Sequence, residues 1–201
     1  LYWLPFYSMF CGRIQALDVI LVTMLLVSTT AVGLWSSALL VGTIIGYSYA
    51  LSSGLYPSLL RGGGREDIEE ALRLTFMLTI PMAIGVMLVP EAVLNVLRPE
   101  YIQASATLTV VSVSALLGGL SSVVDTILYG TERADTDEEP KLSKLMRSNL
   151  FKIPMIYYVN AIVYIMVFAA VLLFLGPGAS PGTVSMIWAL TSLCVGTPFL
   201  I

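Results

Sequence analysis

The chain has 201 residues and a net charge of −3, with 57% hydrophobic and 11% charged residues. A soluble globular domain carries about 25% charged residues, so a water-soluble fold could not cover this much apolar surface. The composition is typical of a protein that lies in a lipid bilayer. The sequence contains no histidine, which removes the commonest general base and the commonest ligand of transition metals.

The two cysteines, Cys11 and Cys194, both lie in apolar runs. Their number and placement make neither a metal site nor a disulfide framework, and each is interpreted as a small buried hydrophobe. No basic patch with interleaved aromatic residues is present, so nucleic acid is not an expected partner. We expect no cofactor, and no cluster of residues has the pattern of a catalytic site.

Six apolar stretches meet or approach the roughly 20 helical residues that a bilayer core requires. The pattern predicts an all-α, polytopic membrane bundle of about six transmembrane helices, in a single domain over residues 1–201. In chain order the stretches are 5–28, 31–60, 72–97, 102–129, 153–175 and a last one that begins near Thr183. The third stretch contains Pro81 and Pro90, each of which permits a kink. The chain begins without methionine and ends within an apolar run, so we expect it to be a fragment of a longer protein.

Four polar breaks, at 61–67, 98–101, 131–140 and 176–182, separate the later stretches. Eight of the ten Lys and Arg residues flank alternate breaks; these eight are Arg61, Arg65, Arg73, Arg133, Lys141, Lys144, Arg147 and Lys152. The positive-inside rule therefore predicts a multi-pass protein of the cell membrane with loops 61–73 and 131–152 in the cytoplasm. Residues 141–152 fit either a short helix on the membrane surface or an ordinary basic flank of a membrane helix.

Polar residues within the apolar stretches are the candidates for function. Arg13 and Asp18 lie in the first stretch, five residues apart, which is not the ideal spacing for an ion pair on one helix. A charge at membrane depth costs about 2.5–3.5 kcal/mol on insertion scales, so each is a functional hypothesis, although Arg13 is also placed to snorkel to the interface. Polar faces are formed by Thr43 and Tyr47, by Ser114, Gly118, Ser122 and Asp125, and by Tyr157, Asn160 and Tyr164.

These faces predict either a central hydrophilic cavity or interhelical hydrogen bonds without a cavity. For a cavity, the candidate binding residues are Arg13, Asp18, Tyr47, Asp125 and Asn160. The second stretch also has a small residue at every fourth position, namely Gly42, Gly46, Ala50 and Gly54, which form one stripe on a helix. It favours close helix packing, or a sliding contact between helices that rearrange.

Several segments together resemble the polysaccharide flippases of the Wzx type, which belong to the superfamily of the MATE drug exporters and the lipid II flippases. The segments are 18–22 (DVILV), 31–38 (AVGLWSSA), 55–60 (LYPSLL), 80–85 (IPMAIG), 96–104 (VLRPEYIQA) and 127–130 (ILYG). The likeness extends from about residue 10 to residue 190. This chain has Arg98, Pro99 and Glu100 where the family has a glycine-rich turn, and the motifs are diagnostic of no particular substrate.

The resemblance implies one half of a two-bundle MATE-like transporter, with the second bundle matching better and the first remaining open. It implies a transporter, not an enzyme, that moves an undecaprenyl- or dolichyl-linked oligosaccharide between leaflets by alternating access. In that role Arg13 would pair with phosphate, while Asp18, Tyr47, Asp125 and Asn160 would bind sugar hydroxyls or a coupling H⁺ or Na⁺. The first alternative is an H⁺- or Na⁺-coupled drug antiporter of the same fold. The second is a membrane-embedded sugar transferase, which would need an acidic metal-binding motif that the loops lack. The third is a purely structural subunit, and the intramembrane charges argue against it.

Overall fold

The computed structural model describes residues 17–26, 28–48, 64–131 and 149–196, and every regular element within these ranges is helical. The prediction of an all-α fold is therefore confirmed for the described residues. Seven α-helices are labelled here in chain order: α1 (Leu17–Leu26), α2 (Thr29–Gly46), α3 (Arg65–Leu88), α4 (Pro90–Leu97), α5 (Ser105–Thr131), α6 (Asn149–Leu175) and α7 (Pro181–Thr191). A 3₁₀ helix at Pro99–Ala104 precedes α5, and a π-helical turn at Ser192–Gly196 follows α7.

Four segments of the described chain are long and apolar enough to cross a membrane: Thr29–Gly46, Arg65–Leu88, Pro99–Ile127 and Met155–Leu175. Two further apolar helices, Leu17–Leu26 and Pro181–Val195, are shorter. Each of the six predicted stretches thus contains a helix, and four of these helices reach the length of a membrane span. Residues 1–16 and 197–201 lie outside the described residues, so the count of six spans stays a prediction.

Local sequence signals set where several helices begin. The Ser28 hydroxyl accepts a hydrogen bond from the Ala31 backbone N–H at 3.3 Å and caps α2, as expected of a serine at this position. Ser180 caps α7 in the same way, and Pro181 occupies the first turn, where its missing N–H costs nothing. The connection between α6 and α7 falls within the predicted break at 176–182, with Gly178 at a φ of 81°, a conformation that glycine adopts readily.

The third predicted stretch is divided at only one of its two prolines. Pro81 lies inside α3, whereas α4 starts at Pro90 after a break at Val89. A residue that precedes proline is disfavoured in the helical region, and Val89 accordingly has φ −134° and ψ 50°. The chain then passes through the extended Arg98 into the 3₁₀ helix.

A main apolar core joins most of the helices. Its largest buried side chains are Leu34, Leu94, Leu108, Phe168, Leu172 and Trp188, with Trp35 also buried. Helices α2 and α5 approach each other closely at Gly42, because a methyl group built on that glycine would overlap Val111 Cγ1. Close packing is thus confirmed at Gly42, while Ala50 and Gly54 of the small-residue stripe lie outside the described residues.

The bundle has two distinct ends. At one, which we call the turn end, the end of α1 at Leu26 meets the connections at 98–104 and 176–182: a methyl group built on Gly176 would lie 3.2 Å from Leu26 Cδ2, and one on Gly182 would lie 3.3 Å from the Gln103 carbonyl oxygen. The opposite end, which we call the charged end, carries the first turns of α3 with Arg65 and Arg73.

Candidate functional site

Asp18 is the most deeply buried charged side chain in the described part of the chain, at 8% exposure. Its Oδ2 atom accepts two hydrogen bonds, from the Tyr164 hydroxyl at 2.9 Å and from Trp188 Nε1 at 2.9 Å. Its Oδ1 atom accepts a third, from the Val19 backbone N–H at 2.6 Å. One carboxylate therefore connects α1 to α6 and α7.

Stacked aromatic rings hold the two side-chain donors in place. Trp188 stacks on Trp35 of α2 with ring centroids 4.9 Å apart and planes 14° apart. Phe168 lies 5.4 Å from Trp188 and 5.9 Å from Tyr164, again between ring centroids. Such pairs are worth about 0.5–1.5 kcal/mol beyond the area that they bury. We call Asp18, Tyr164, Trp188, Trp35 and Phe168 the Asp18 cluster; it joins α1, α2, α6 and α7.

Neutral groups, not cations, hold the carboxylate of Asp18 in the described ranges. The ion pair found there is between Arg65 and Glu69, one turn apart on the exposed surface of α3. A buried carboxylate without an opposite charge is costly unless hydrogen bonds compensate it. The three donors to Asp18 provide that compensation, and Arg13 lies outside the described residues.

Asp125 forms a second tyrosine–aspartate pair nearer the charged end. The Tyr157 hydroxyl of α6 donates to Asp125 Oδ2 of α5, and both side chains are half-buried. Tyr157 and Tyr164 are seven residues apart, which is two helical turns and about 10 Å along the axis. One face of α6 therefore presents two tyrosines, at different depths, to carboxylates of two different helices.

Buried hydroxyl groups form a further set of contacts between helices. Ser48 at the end of α2 hydrogen-bonds to Thr79 of α3, and Thr107 of α5 hydrogen-bonds to Ser185 of α7 at 2.9 Å. The Thr75 hydroxyl is buried and has no hydrogen-bond partner among the described residues. At Ser48, Thr79, Thr107 and Ser185, hydrogen bonding between helices therefore accounts for buried polarity without a cavity.

The five predicted binding residues occupy different environments. Arg13 lies outside the described residues, Asp18 is buried in its cluster, and Asp125 is paired with Tyr157. Asn160 is half-buried one turn from Tyr157 on α6, whereas Tyr47 is 72% exposed at the end of α2. The structure thus brings Asp125 together with the α6 face that carries Asn160, and it places Asp18 in a separate cluster closer to the aromatic core.

Sequence reasoning missed Trp188, Trp35 and Phe168 as parts of the site. Tyr164 was recognised as belonging to a polar face but was not matched with Asp18. The available signal was the indole N–H of a tryptophan within an apolar stretch, since a buried indole usually requires an acceptor. The sequence contains few acidic residues within apolar stretches, so Asp18 was a candidate acceptor.

Together, the fold and these contacts describe, over the residues given above, a helical bundle with four helices long and apolar enough to cross a membrane and with a buried carboxylate held by neutral donors. No protein-family model matches the chain, and neither the curated proteins nor the solved structures include a significant match to it. Function is therefore inferred from the residues of this chain and from the resemblance described above.

Proposed function

We propose that the chain is one helical bundle of a multi-pass transporter that flips lipid-linked oligosaccharide across the cell membrane by alternating access. The observation that carries this proposal is Asp18, a carboxylate buried inside a membrane-embedded bundle and held by Tyr164 and Trp188. Ionisable residues at membrane depth are expensive and mark ligand or ion pathways in membrane proteins. The resemblance to oligosaccharide flippases supplies the substrate class.

Stability alone does not account for an aspartate at this position. Replacing a buried charged group together with its partners by apolar side chains of similar volume is often neutral or stabilising, so apolar residues in place of Asp18 and its two side-chain donors would serve the packing of α1 equally well. Asp18 instead makes the packing of three helices depend on a single carboxylate. A proton, a cation or a ligand hydroxyl that competes for its oxygens would change how α1, α6 and α7 pack together, and alternating access requires such a coupling between binding and helix packing.

The chemistry of the substrate fits polar groups inside the bundle. A sugar–phosphate head cannot cross hydrocarbon unaided because its polar groups would lose their hydrogen bonds. Asp18, Asp125 and Asn160 would accept or donate hydrogen bonds to sugar hydroxyls or hold a coupling H⁺ or Na⁺, and Arg13 would pair with phosphate. Tyr47, exposed on α2, would reach the ligand on a face turned toward a second bundle, as in the MATE-like transporters.

The second candidate is an H⁺- or Na⁺-coupled drug antiporter of the same fold. The buried carboxylate of Asp18 favours it equally, because a single acidic group in a membrane bundle is suited to binding a coupling ion. The two candidates differ in substrate: export of oligosaccharide separates the flippase from the antiporter, which would extrude organic cations.

The proposed topology has six spans, with loops 61–73 and 131–152 in the cytoplasm. Single cysteines placed at Arg65 and at Arg98 of the full-length protein should then react with impermeant reagents from opposite sides of the membrane. Labelling of both positions from the same side would overturn this topology.

The functional test compares Asp18→Asn with Glu70→Gln in the full-length protein. The asparagine amide keeps the shape of the aspartate side chain but removes its charge. Losing a hydrogen bond to a charged group costs about 1.5–3 kcal/mol, which changes an equilibrium constant about ten- to hundredfold. We expect oligosaccharide export to fall at least about tenfold at unchanged abundance in the membrane, whereas Glu70→Gln, at an exposed position of α3, should export normally. Normal export by Asp18→Asn would refute the role of this residue.

A further inference from the structure

The apolar core does not extend evenly along the bundle. Around the Asp18 cluster, buried side chains from α1, α2, α5, α6 and α7 pack into one core. Toward the charged end, a second and smaller cluster has described members from α3 and α5 only: Ala71 and Val123, with Ile68, Leu72 and Ile127 packed against them. The described side chains of α6 therefore contribute to the first core but not to the second.

Helix α6 meets α5 through polar groups in the half of the bundle near the charged end. Met155, Ile156 and Val159 of α6 are exposed there, and the Tyr157 hydroxyl bonds to the Asp125 carboxylate across the α5–α6 interface. Each partner has another half-buried polar residue one turn away on its own helix, Ser122 beside Asp125 and Asn160 beside Tyr157. Residues three apart on a helix share a face, so both sides of this interface are polar.

A hydrogen-bonded pair of this kind is easier for water to separate than an apolar interface. Water can replace the partner of a half-buried hydroxyl or carboxylate, whereas an apolar interface that opens to water exposes apolar surface to it, which is unfavourable. The two ends of α6 therefore differ in how readily they can part from the rest of the bundle. The end around Phe168 and Leu172 is fixed by the main core, while among the described side chains the end around Tyr157 meets α5 through a hydrogen bond that water can replace.

We propose that the Asp125–Tyr157 hydrogen bond is a latch, which closes the interface between α5 and α6 at the charged end and opens to admit water and ligand. The latch itself depends only on these contacts; its use in moving a lipid-linked oligosaccharide depends on the proposed function. In this view α6 swings about its fixed end near the aromatic core. Ser122 and Asn160 then line the space that opens.

Thiol labelling of Ser122→Cys measures the latch without any transport assay. The reporter is introduced into the full-length protein with its other cysteines replaced, in membrane vesicles that expose the charged end to an impermeant methanethiosulfonate reagent. Tyr157→Phe removes only the donating hydroxyl and should raise the labelling rate at least about threefold, a bias of about 0.7 kcal/mol at RT of about 0.6 kcal/mol. Tyr101→Phe, near the turn end, should leave the rate unchanged.

A second substitution tests whether the two partners act as one unit. Asp125→Leu removes the acceptor and should raise the labelling rate as Tyr157→Phe does, and the double variant should label no faster than either single variant. Equal labelling rates in the parent and the Tyr157→Phe protein, including no labelling of either, would overturn the latch. So would additive effects of the two substitutions.

Cross-linking connects the latch to transport. A reducible bifunctional thiol reagent that joins Ser122→Cys, one turn from Asp125 on α5, to Tyr157→Cys should abolish export, and reduction should restore it. The same treatment of Thr107→Cys and Ser185→Cys, a pair between α5 and α7 whose parent hydroxyls are 2.9 Å apart, should leave export intact. If Tyr157→Phe increases labelling but the parent protein exports no oligosaccharide, the latch is supported and the proposed function is refuted. If export survives the cross-link between α5 and α6, the latch is refuted.

Discussion

Tyr164→Phe should destabilise the bundle far more than the loss of a tyrosine hydroxyl usually does. The hydroxyl donates to Asp18 Oδ2 at 2.9 Å, both side chains are buried, and the phenyl ring can keep its stacking on Phe168. A hydrogen bond to a charged group contributes about 1.5–3 kcal/mol, whereas interhelical hydrogen bonds in a membrane protein average about 0.6 kcal/mol. We expect a loss of about 1.5–3 kcal/mol, because the acceptor is a buried carboxylate with no cation among its described partners.

The measurement is the unfolding free energy of the full-length protein in mixed micelles, from titration with a denaturing detergent. Tyr101→Phe is the matched control, since Tyr101 is half-buried and makes no described side-chain hydrogen bond. Its loss of stability should stay within about 0.5 kcal/mol.

The same substitution should lose most of its effect when the acceptor is removed. In an Asp18→Leu background, the Tyr164 hydroxyl has no carboxylate to donate to, so Tyr164→Phe no longer breaks a hydrogen bond to a charged group. Tyr164→Phe should then change the unfolding free energy by less than about 1 kcal/mol. A destabilisation of the same size in both backgrounds would refute the reasoning, because it would show that Tyr164 acts through packing and not through Asp18.

Two further predictions concern close packing and buried hydroxyls. Gly42→Ala should lower the unfolding free energy by about 1–3 kcal/mol through overlap with Val111 Cγ1, whereas Gly33→Ala, whose new methyl group has no neighbour within 4 Å, should be neutral or slightly stabilising. Rescue of Gly42→Ala by Val111→Ala in the same detergent titration would confirm the contact. Equal effects of Gly42→Ala and Gly33→Ala would contradict it. Thr75→Val removes a buried hydroxyl that has no partner in the described part of the chain and should stabilise the protein by up to about 1 kcal/mol. Thr79→Val breaks the hydrogen bond to Ser48 and should destabilise it by about 1 kcal/mol. A larger loss of stability for Thr75→Val than for Thr79→Val in thermal unfolding would contradict this pairing.

The sequence was informative about the helices because lipid imposes a simple rule on length and polarity. Apolar stretches, the caps at Ser28 and Ser180 and the break at Pro90 depend on neighbouring residues, so they could be recognised without the fold. The continuation of α3 through Pro81 was harder to foresee. A proline within a membrane helix ends it only if the packing around it does not tolerate the lost hydrogen bond.

The candidate site was only partly predictable, because its partners are far apart in the sequence. Asp18 stood out as a charge in an apolar stretch, but its donors are 146 and 170 residues away. Helical periodicity places Tyr157 and Tyr164 on one face of α6 without indicating that they meet carboxylates of two different helices. The stacking of Trp35 on Trp188 depends on how α2 and α7 pack, which no local pattern determines.

The central claim is tested most directly by measuring flipping in liposomes that contain the purified full-length protein and a lipid-linked oligosaccharide. An impermeant glycosidase added outside reports the fraction of substrate in the outer leaflet over time. The account predicts that wild-type protein brings the inner-leaflet substrate to the enzyme, and that Asp18→Asn, incorporated at the same density, does so at least about tenfold more slowly. Protection of the inner-leaflet substrate in wild-type liposomes, as in protein-free liposomes, would contradict the proposed function, and equal flipping rates for wild type and Asp18→Asn would contradict the role of the buried carboxylate.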